Sequence, residues 1–147
     1  MERAKQLQPL SREHHLGLVI ATHAKRCAND VEDIAKHWMA LTEYINDNMS
    51  NHFKVEDDLL LVMLARYKDS YPKVAKVLDI IASQHKKLYK IIHLPSLSAN
   101  QIRELGKTLY EHIRFEEREL FPLAQELLSK QELDAIYEAS SDNVKHK

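Results

Sequence analysis

The sequence has few of the residues that build turns, with two glycines and four prolines among 147 residues. An all-β chain of this length needs many tight turns, so the composition argues against that fold class. Hydrophobic residues make up 44% and charged residues 29% of the chain, a mixture suited to amphipathic helices. The length is close to the commonest domain size, which favours a single domain over 1–147. We therefore expect an all-α protein.

The sequence also lacks long runs of one chemical character. Its 21 basic and 22 acidic side chains are scattered and give a net charge of -1, which argues against nucleic acid as a partner. No apolar stretch reaches about 18 residues, and residues 1–9 contain no apolar segment of about seven, so we expect neither a membrane partner nor a secretion signal. The single cysteine, Cys27, excludes an internal disulfide. These features predict a cytoplasmic protein and identify no protein partner.

Hydrophobic residues recur every three or four positions in four stretches, which predicts four long helices. Ser11 is the predicted cap of the first helix, and Asn29-Asp30 is the first pair able to interrupt it. The second stretch runs from Trp38 to Met63 and ends by 68–70. A break near Asp30 and another near residue 69 therefore separate the first three helices.

The second half of the chain carries equally clear helix boundaries. Pro72 suits the first turn of a third helix, and 94–97 supplies a stop. Residues 98–101 have the spacing of a capping box for the fourth helix, within which Pro122 predicts a kink. Residues 129–132 cap a short final helix that precedes a polar tail.

Two helices carry a histidine four residues before a glutamate, in the pairs His52 with Glu56 and His112 with Glu116. This spacing puts an imidazole and a carboxylate one turn apart on the same helical face. Both pairs lie within the apolar stripe of their helix, and so does His85 on the third helix. Imidazole and carboxylate groups that face a core need partners. A bound metal would supply them.

The first helix offers two adjacent histidines as a further ligand. His14 shares a face with Leu18 and Ala21, whereas His15 shares one with Val19, so periodicity favours His14 without excluding His15. The predicted metal ligands are His14, His52, Glu56, His85, His112 and Glu116.

The numbering of these ligands tests whether they can meet. Ligands on neighbouring antiparallel helices lie at one level when the turn lies midway between them in sequence. The midpoints fall near residue 33 for His14 and His52, between 68 and 69 for His52 and His85, and between 98 and 99 for His85 and His112. A turn signal lies near each midpoint. The spacing therefore fits four helices over about 10–127 whose neighbours run antiparallel, followed by the short helix and polar tail of 129–147.

Two segments resemble the paired motifs of hemerythrin-like domains, the HHE cation-binding family: His-Phe-Lys-Val-Glu-Asp-Asp-Leu-Leu at 52–60 and His-Ile-Arg-Phe-Glu-Glu-Arg-Glu-Leu-Phe-Pro at 112–122. Leu-Ser-Arg-Glu-His at 10–14 is similar to the opening signature of that family. The resemblance spans about 10–125. It implies an up-down-up-down four-helix bundle that holds two iron ions joined by an oxo or hydroxo bridge, with both glutamates bridging the ions and the histidines capping them. By donor type alone, manganese or zinc would also fit.

The chain departs from the oxygen-carrying members at the third helix. Those proteins have two histidines a turn apart there, whereas Ile81 and Tyr89 lie one turn before and after His85. One imidazole fewer leaves coordination positions for water, dioxygen or another protein group. Tyr89, Asp57 and Glu117 are the candidate replacements, each with a supporting or packing role as the alternative.

We therefore expect a module that binds or senses dioxygen, or another small diatomic or peroxide ligand, rather than an enzyme. A di-iron oxidase or peroxide-reducing enzyme is one alternative, and an iron-handling or iron-sensing protein is another. A ferritin-like carboxylate site needs Glu-x-x-His pairs, which the sequence lacks. The metal-free alternative is a bundle whose inward histidines and glutamates pair only with one another.

Overall fold

The computed structural model describes residues 2–94 and 97–145, which form helices, turns and short connections without any strand. A 3-10 turn at Lys5–Leu7 precedes the first helix. The four long helices, numbered in chain order, are Gln8–Ala24, 31–65, Pro72–Ile92 and 99–127. Two short helices follow at Lys130–Ala139 and Asp142–Lys145. The protein is all-helical, as the sequence predicts.

Two of the long helices change their hydrogen-bonding pattern along their length. The second helix consists of Val31–Glu43, Tyr44–Asn48, Met49–Val55, Glu56–Leu60 and Leu61–Ala65. The fourth consists of Ala99–Phe115, Glu116–Leu120 and Phe121–Leu127. The segments at Tyr44–Asn48, Glu56–Leu60 and Glu116–Leu120 are π turns, each closed by a bond from an N–H to the carbonyl five residues earlier. The hydrophobic pattern of the sequence does not predict these π turns.

The start of the first helix differs from the prediction. Ser11 lies inside the helix, which begins three residues earlier at Gln8 with Pro9 in its first turn. Proline suits that position because its fixed φ is helical and the N–H it lacks would have no helical partner there. Ser11 instead donates a hydrogen bond to Glu117 Oε2 at 2.8 Å.

Most of the other predicted boundaries agree with the structure, but the first helix ends at Ala24, before the predicted break at Asn29-Asp30. Asp30 caps the second helix by accepting a hydrogen bond from the Asp33 amide at 2.8 Å. Pro72 opens the third helix, and Ser98 and Ser129 each form a complete capping box. Within the predicted stop at 94–97, Pro95 and Ser96 lie outside the described residues.

The tail after the short final helix is not wholly irregular. Residues Asp142–Lys145 form one more helical turn, in which Val144 is buried. The Val144 carbonyl accepts a hydrogen bond from Arg12, which ties this turn to the first helix.

Two apolar clusters fill the interior, and each long helix contributes to both. The first cluster includes Leu10, Leu60, Ile81 and Leu120. The second includes Ala21, Met49, Leu88 and Leu109. Each fully buried aliphatic side chain contributes about 1.5–3 kcal/mol to folding. Between these two sets of positions, every long helix carries one or two of the predicted ligands.

Among residues 2–94 and 97–145, no helix combines the length and the apolar character that crossing a membrane requires.

Candidate metal centre

The structure brings the six predicted ligands together in the interior. The first and third helices each supply one imidazole, and the second and fourth each supply an imidazole and a carboxylate. All six side chains are buried, with exposed fractions from 0% to 3%: His14, His52, Glu56, His85, His112 and Glu116. His15, the open alternative on the first helix, is exposed. The polar layer therefore contains His14 and lies between the two apolar clusters.

The six residues form two groups of four, and each group has one ligand atom per residue within 4.8 Å of the others. The first group is His14, His52, Glu56 and Glu116. The second is Glu56, His85, His112 and Glu116. Because both glutamates belong to both groups, the layer offers two adjacent positions for cations that share two carboxylates.

The imidazoles point their Nε2 atoms at these carboxylates. His14 Nε2 lies 2.8 Å from Glu116 Oε1, and His52 Nε2 lies 3.1 Å from Glu56 Oε2. On the other side, His112 Nε2 lies 3.2 Å from Glu116 Oε2. His85 Nε2 lies 3.2 Å from Glu56 Oε1. Every imidazole thus presents the same ring nitrogen to the centre.

Each Nδ1 atom has an oxygen partner on a neighbouring helix. The distances are 3.3 Å from His52 to Glu13, 2.8 Å from His85 to Asp57, 2.6 Å from His112 to Gln84 and 2.6 Å from His14 to Glu117. We call Glu13, Asp57, Gln84 and Glu117 the support ring. An Nδ1–H that donates outward leaves the Nε2 lone pair of a neutral imidazole available to a metal, and it fixes the plane of the imidazole.

The support ring connects the four long helices in a closed order. Each of its members is adjacent in sequence to one ligand but supports an imidazole on another helix. Glu13 on the first helix supports the second, Asp57 supports the third, Gln84 supports the fourth, and Glu117 on the fourth supports the first. Asp57 and Glu117, two candidates for the missing ligand, therefore contact imidazoles and belong to neither group of four.

Tyr89, the third candidate, lies at the rim of the centre. Its side chain is 38% exposed, and its ring packs edge-on against Phe53 with centroids 5.5 Å apart. Phe53 itself is buried and touches the rings of His85 and His112, with centroids at 4.5 Å and 5.9 Å. Tyr89 thus covers an aromatic side chain that lines the centre.

Four buried ligand atoms find no hydrogen-bond partner among the described residues: Glu56 Oε1, His85 Nε2, His112 Nε2 and Glu116 Oε2. Each member of the second group contributes one of these atoms. The atoms form two pairs, His85 Nε2 with Glu56 Oε1 and His112 Nε2 with Glu116 Oε2, and each pair is 3.2 Å apart without hydrogen-bonding geometry. A buried polar atom left without a partner costs about 1–3 kcal/mol. A cation among these four atoms would remove that cost, so the residues present fit a metal ion.

Charge coupling within the layer has a consistent direction. Burial by itself would lower the pKa of His85, but its contacts with Asp57, Glu116 and Glu56 outweigh burial and raise the pKa to about 12. Burial would likewise lower the pKa of His52. Its contacts with carboxylates outweigh burial and raise the pKa well above its usual value. Burial would raise the pKa of Glu116, but His112 and other neighbours hold it well below its usual range. The carboxylates therefore favour positive charge in this layer, which protons or metal ions can supply.

Both bridging candidates begin a π turn. The Glu56 carbonyl accepts from the Leu61 amide, and the Glu116 carbonyl accepts from the Phe121 amide. Each π turn inserts one extra residue directly after the glutamate, and such turns are frequent at functional sites. Asp57 and Glu117, which support imidazoles on other helices, are the second residues of these turns.

The N-terminal segment covers one side of the centre. Arg3 donates hydrogen bonds to the Glu117 carbonyl at 2.8 Å and to Glu117 Oε1 at 3.0 Å. Its guanidinium also lies over the Phe121 ring, 5.2 Å from the centroid, and Phe121 stacks on His14. These contacts hold Glu117 and His14 in place from outside.

Glu13 and Gln84 were not predicted from the sequence to be part of the centre. The available signal was their position directly before His14 and His85, since a residue adjacent to an inward ligand points sideways toward a neighbouring helix.

The centre as a whole offers imidazole and carboxylate ligands, without thiolate, in a layer that excludes bulk solvent. Comparison of the chain with models of known families, with curated proteins and with solved structures finds no match.

Proposed function

We propose that this chain is a hemerythrin-like non-haem di-iron protein that binds or senses dioxygen or a related small ligand. One observation carries the proposal: two groups of four buried ligands share both Glu56 and Glu116. Because both carboxylates belong to both sites, ions in the two sites would lie close together as a bridged pair and would not occupy separate, independent sites. The four buried atoms without partners add a physical reason for metal to enter.

The helix arrangement that we propose is an up-down-up-down four-helix bundle. Along the first and third helices the order is first cluster, ligand, second cluster, and along the second and fourth it is reversed. Alternation of this kind is expected when successive helices run in opposite directions. Contacts of the support ring are consistent with the same arrangement, because they join each long helix to the next one in the chain and the fourth back to the first.

Iron is the metal that we propose. Mixed imidazole and carboxylate ligands without thiolate suit iron, manganese or zinc, and the resemblance of 52–60 and 112–122 to hemerythrin-like motifs favours iron. When bound, ferrous ions supply electrons to a small oxidising ligand. The protein's own part is to hold four imidazoles and two carboxylates in fixed directions and to keep bulk water away.

Metal analysis of freshly purified protein tests the proposal. We expect about two irons per chain, and we expect Glu116→Gln to lose at least one because Glu116 belongs to both groups. Glu111→Gln is the matched control, because Glu111 is an exposed glutamate on the same helix. Iron-free protein that also fails to take up ferrous iron under anaerobic conditions would contradict the proposal.

A second experiment separates binding from catalysis. Iron-loaded protein is reduced, exposed to a measured amount of dioxygen and then placed under vacuum, while its absorption spectrum is recorded. A stoichiometric and reversible change supports a binding or sensing module. Continued consumption of dioxygen or peroxide would instead indicate an oxidase or a peroxide-reducing enzyme.

A further inference from the structure

The turn between the first and second helices brings together three side chains that the metal centre does not use. Cys27 lies in this turn, and Asp33 and His37 lie one helical turn apart in Val31–Glu43. One sulfur, one carboxylate oxygen and one imidazole nitrogen lie within 4.8 Å of one another. We infer that Cys27, Asp33 and His37 form a separate zinc site.

Local hydrogen bonds hold these groups in position. The Asp33 amide donates to Asp30 Oδ1 at 2.8 Å, and Asp33 Oδ2 accepts from the Ala28 amide at 2.6 Å. The same Oδ2 lies 3.4 Å from His37 Nε2. The Asp33 carboxylate therefore lies between the turn that carries Cys27 and the imidazole.

The fourth helix fixes the turn from the other side. Arg103 donates a hydrogen bond to the Cys27 carbonyl at 2.5 Å, and its guanidinium also reaches Asn29 Oδ1 at 3.4 Å. Cys27 is 2% exposed, and its Sγ donates a hydrogen bond to the Ala28 carbonyl at 3.4 Å. The backbone of the turn is thus positioned before any ion binds.

The three donors match the preferences of zinc. Zinc accepts thiolate, imidazole and carboxylate ligands and is usually four-coordinate, so three protein ligands leave one position for water. The Asp33 and His37 side chains are 28% and 13% exposed, so two of the three ligands are accessible from solvent while the sulfur is buried. On binding, the Cys27 thiol would release its proton to solvent and coordinate as thiolate.

This site differs from the metal centre in both place and chemistry. His37 and His52 lie on the same helix fifteen residues apart, which corresponds to about 22 Å along the axis. The centre offers only imidazole and carboxylate, whereas Cys27 adds a soft sulfur ligand that favours zinc over harder ions. Metal occupancy at one site can therefore be measured independently of the other.

Cobalt titration of the full-length, iron-loaded protein tests the inference, with Co²⁺ as the spectroscopic probe for zinc. Because Cys27 is the single cysteine, any thiolate-to-cobalt charge-transfer band must come from this site. We expect the band to saturate at one cobalt per chain and to disappear when Zn²⁺ is added. Cys27→Ser should abolish it, and His37→Ala should weaken cobalt binding at least tenfold. His23→Ala, at an exposed histidine of the first helix, is the matched control and should leave it unchanged.

Alkylation of the thiol gives a second readout that does not depend on cobalt. Zn²⁺ should slow the reaction of Cys27 with iodoacetamide in the unmodified protein, and the same Zn²⁺ concentration should slow it less in His37→Ala. Circular dichroism shows whether each variant keeps its helices. The inference is overturned if the unmodified protein gives no thiolate-to-cobalt band, or if His37→Ala binds cobalt as tightly as the unmodified protein does.

Discussion

At the scale of single residues, Asp57 connects the protein surface to a buried imidazole. Its side chain is 42% exposed, yet its Oδ1 lies 2.8 Å from His85 Nδ1. Asp58, the next residue, is also exposed and has the same charge. The two aspartates therefore separate the effect of the support ring from the effect of surface charge.

We predict that Asp57→Ala lowers the affinity for ferrous iron about 10–100-fold, as expected when the partner of a metal-binding histidine is removed. Asp58→Ala should leave the affinity unchanged. Competition with a chromogenic iron chelator under anaerobic conditions measures both. Equal affinities in the two variants would show that the hydrogen bond to His85 does not support metal binding.

At the scale of helices, the two glycines of the chain both lie where another element comes close. A Cβ at Gly17 would lie 2.2 Å from the Tyr44 hydroxyl oxygen. The Tyr44 hydroxyl donates to the Glu13 carbonyl at 2.8 Å, one turn before Gly17. A Cβ at Gly106, on the fourth helix, would lie 2.9 Å from the Ala21 carbonyl oxygen and 2.8 Å from the Ala24 Cβ. Glycine thus permits close packing of the first helix against its neighbours.

We predict that Gly106→Ala lowers the free energy of unfolding by about 1–3 kcal/mol, because the added methyl group meets backbone atoms that cannot move separately. In an unobstructed helix, the same change would raise it by about 1 kcal/mol. Urea unfolding followed by circular dichroism shows whether Gly106→Ala lowers or raises the free energy of unfolding. Ala35→Gly, at an exposed helical position, calibrates the effect of helix propensity alone. A stabilised Gly106→Ala variant would contradict the close approach.

The π turns also belong to this scale, and proline is not their cause. Pro122 follows Glu116 by six residues, and Val62 follows Glu56 by the same number, yet both glutamates begin a π turn. The fourth helix has a π turn before Pro122 and continues through the proline to Leu127. The equal positions of the two turns relative to the two glutamates point to the centre as their common reason.

At the scale of the whole molecule, a polar layer separates two apolar clusters. Without a cation, this layer contains four buried atoms that lack hydrogen-bond partners. An ion that binds only the folded state stabilises it by about 2.7 kcal/mol at a hundredfold excess over its dissociation constant. Folding stability and metal occupancy should therefore be linked.

We predict that ferrous iron raises the midpoint of thermal unfolding of chelator-treated protein by about 5–10 °C, as expected for a domain of this length. Calorimetry under anaerobic conditions measures the shift. Glu116→Gln should show a smaller shift than Glu111→Gln. An unchanged midpoint in the unmodified protein would exclude iron as a stabilising ligand and, with it, an iron-sensing role based on stability.

The amino-acid pattern alone predicted the helices, most of their boundaries and five of the six side chains that meet in the interior, and it reduced the sixth to His14 or His15. These features follow from local rules: the helical repeat sets which residues share a face, and capping residues and prolines set where a helix begins. Ser11 shows the limit of those rules, because a residue able to cap a helix also fits one turn inside it, where it bonds Glu117.

Packing of the folded chain selects His14 over His15. It also places Asp57 and Glu117 in the support ring, together with Glu13 and Gln84. Each of these residues is adjacent to another polar candidate, and a helix must rotate by only about 100° to exchange neighbouring positions. That rotation is set by how all four long helices pack together, including the close approach at Gly106 and the π turns at Glu56 and Glu116. A local pattern only narrows these choices, because the rotation of each helix depends on contacts between residues far apart in the chain.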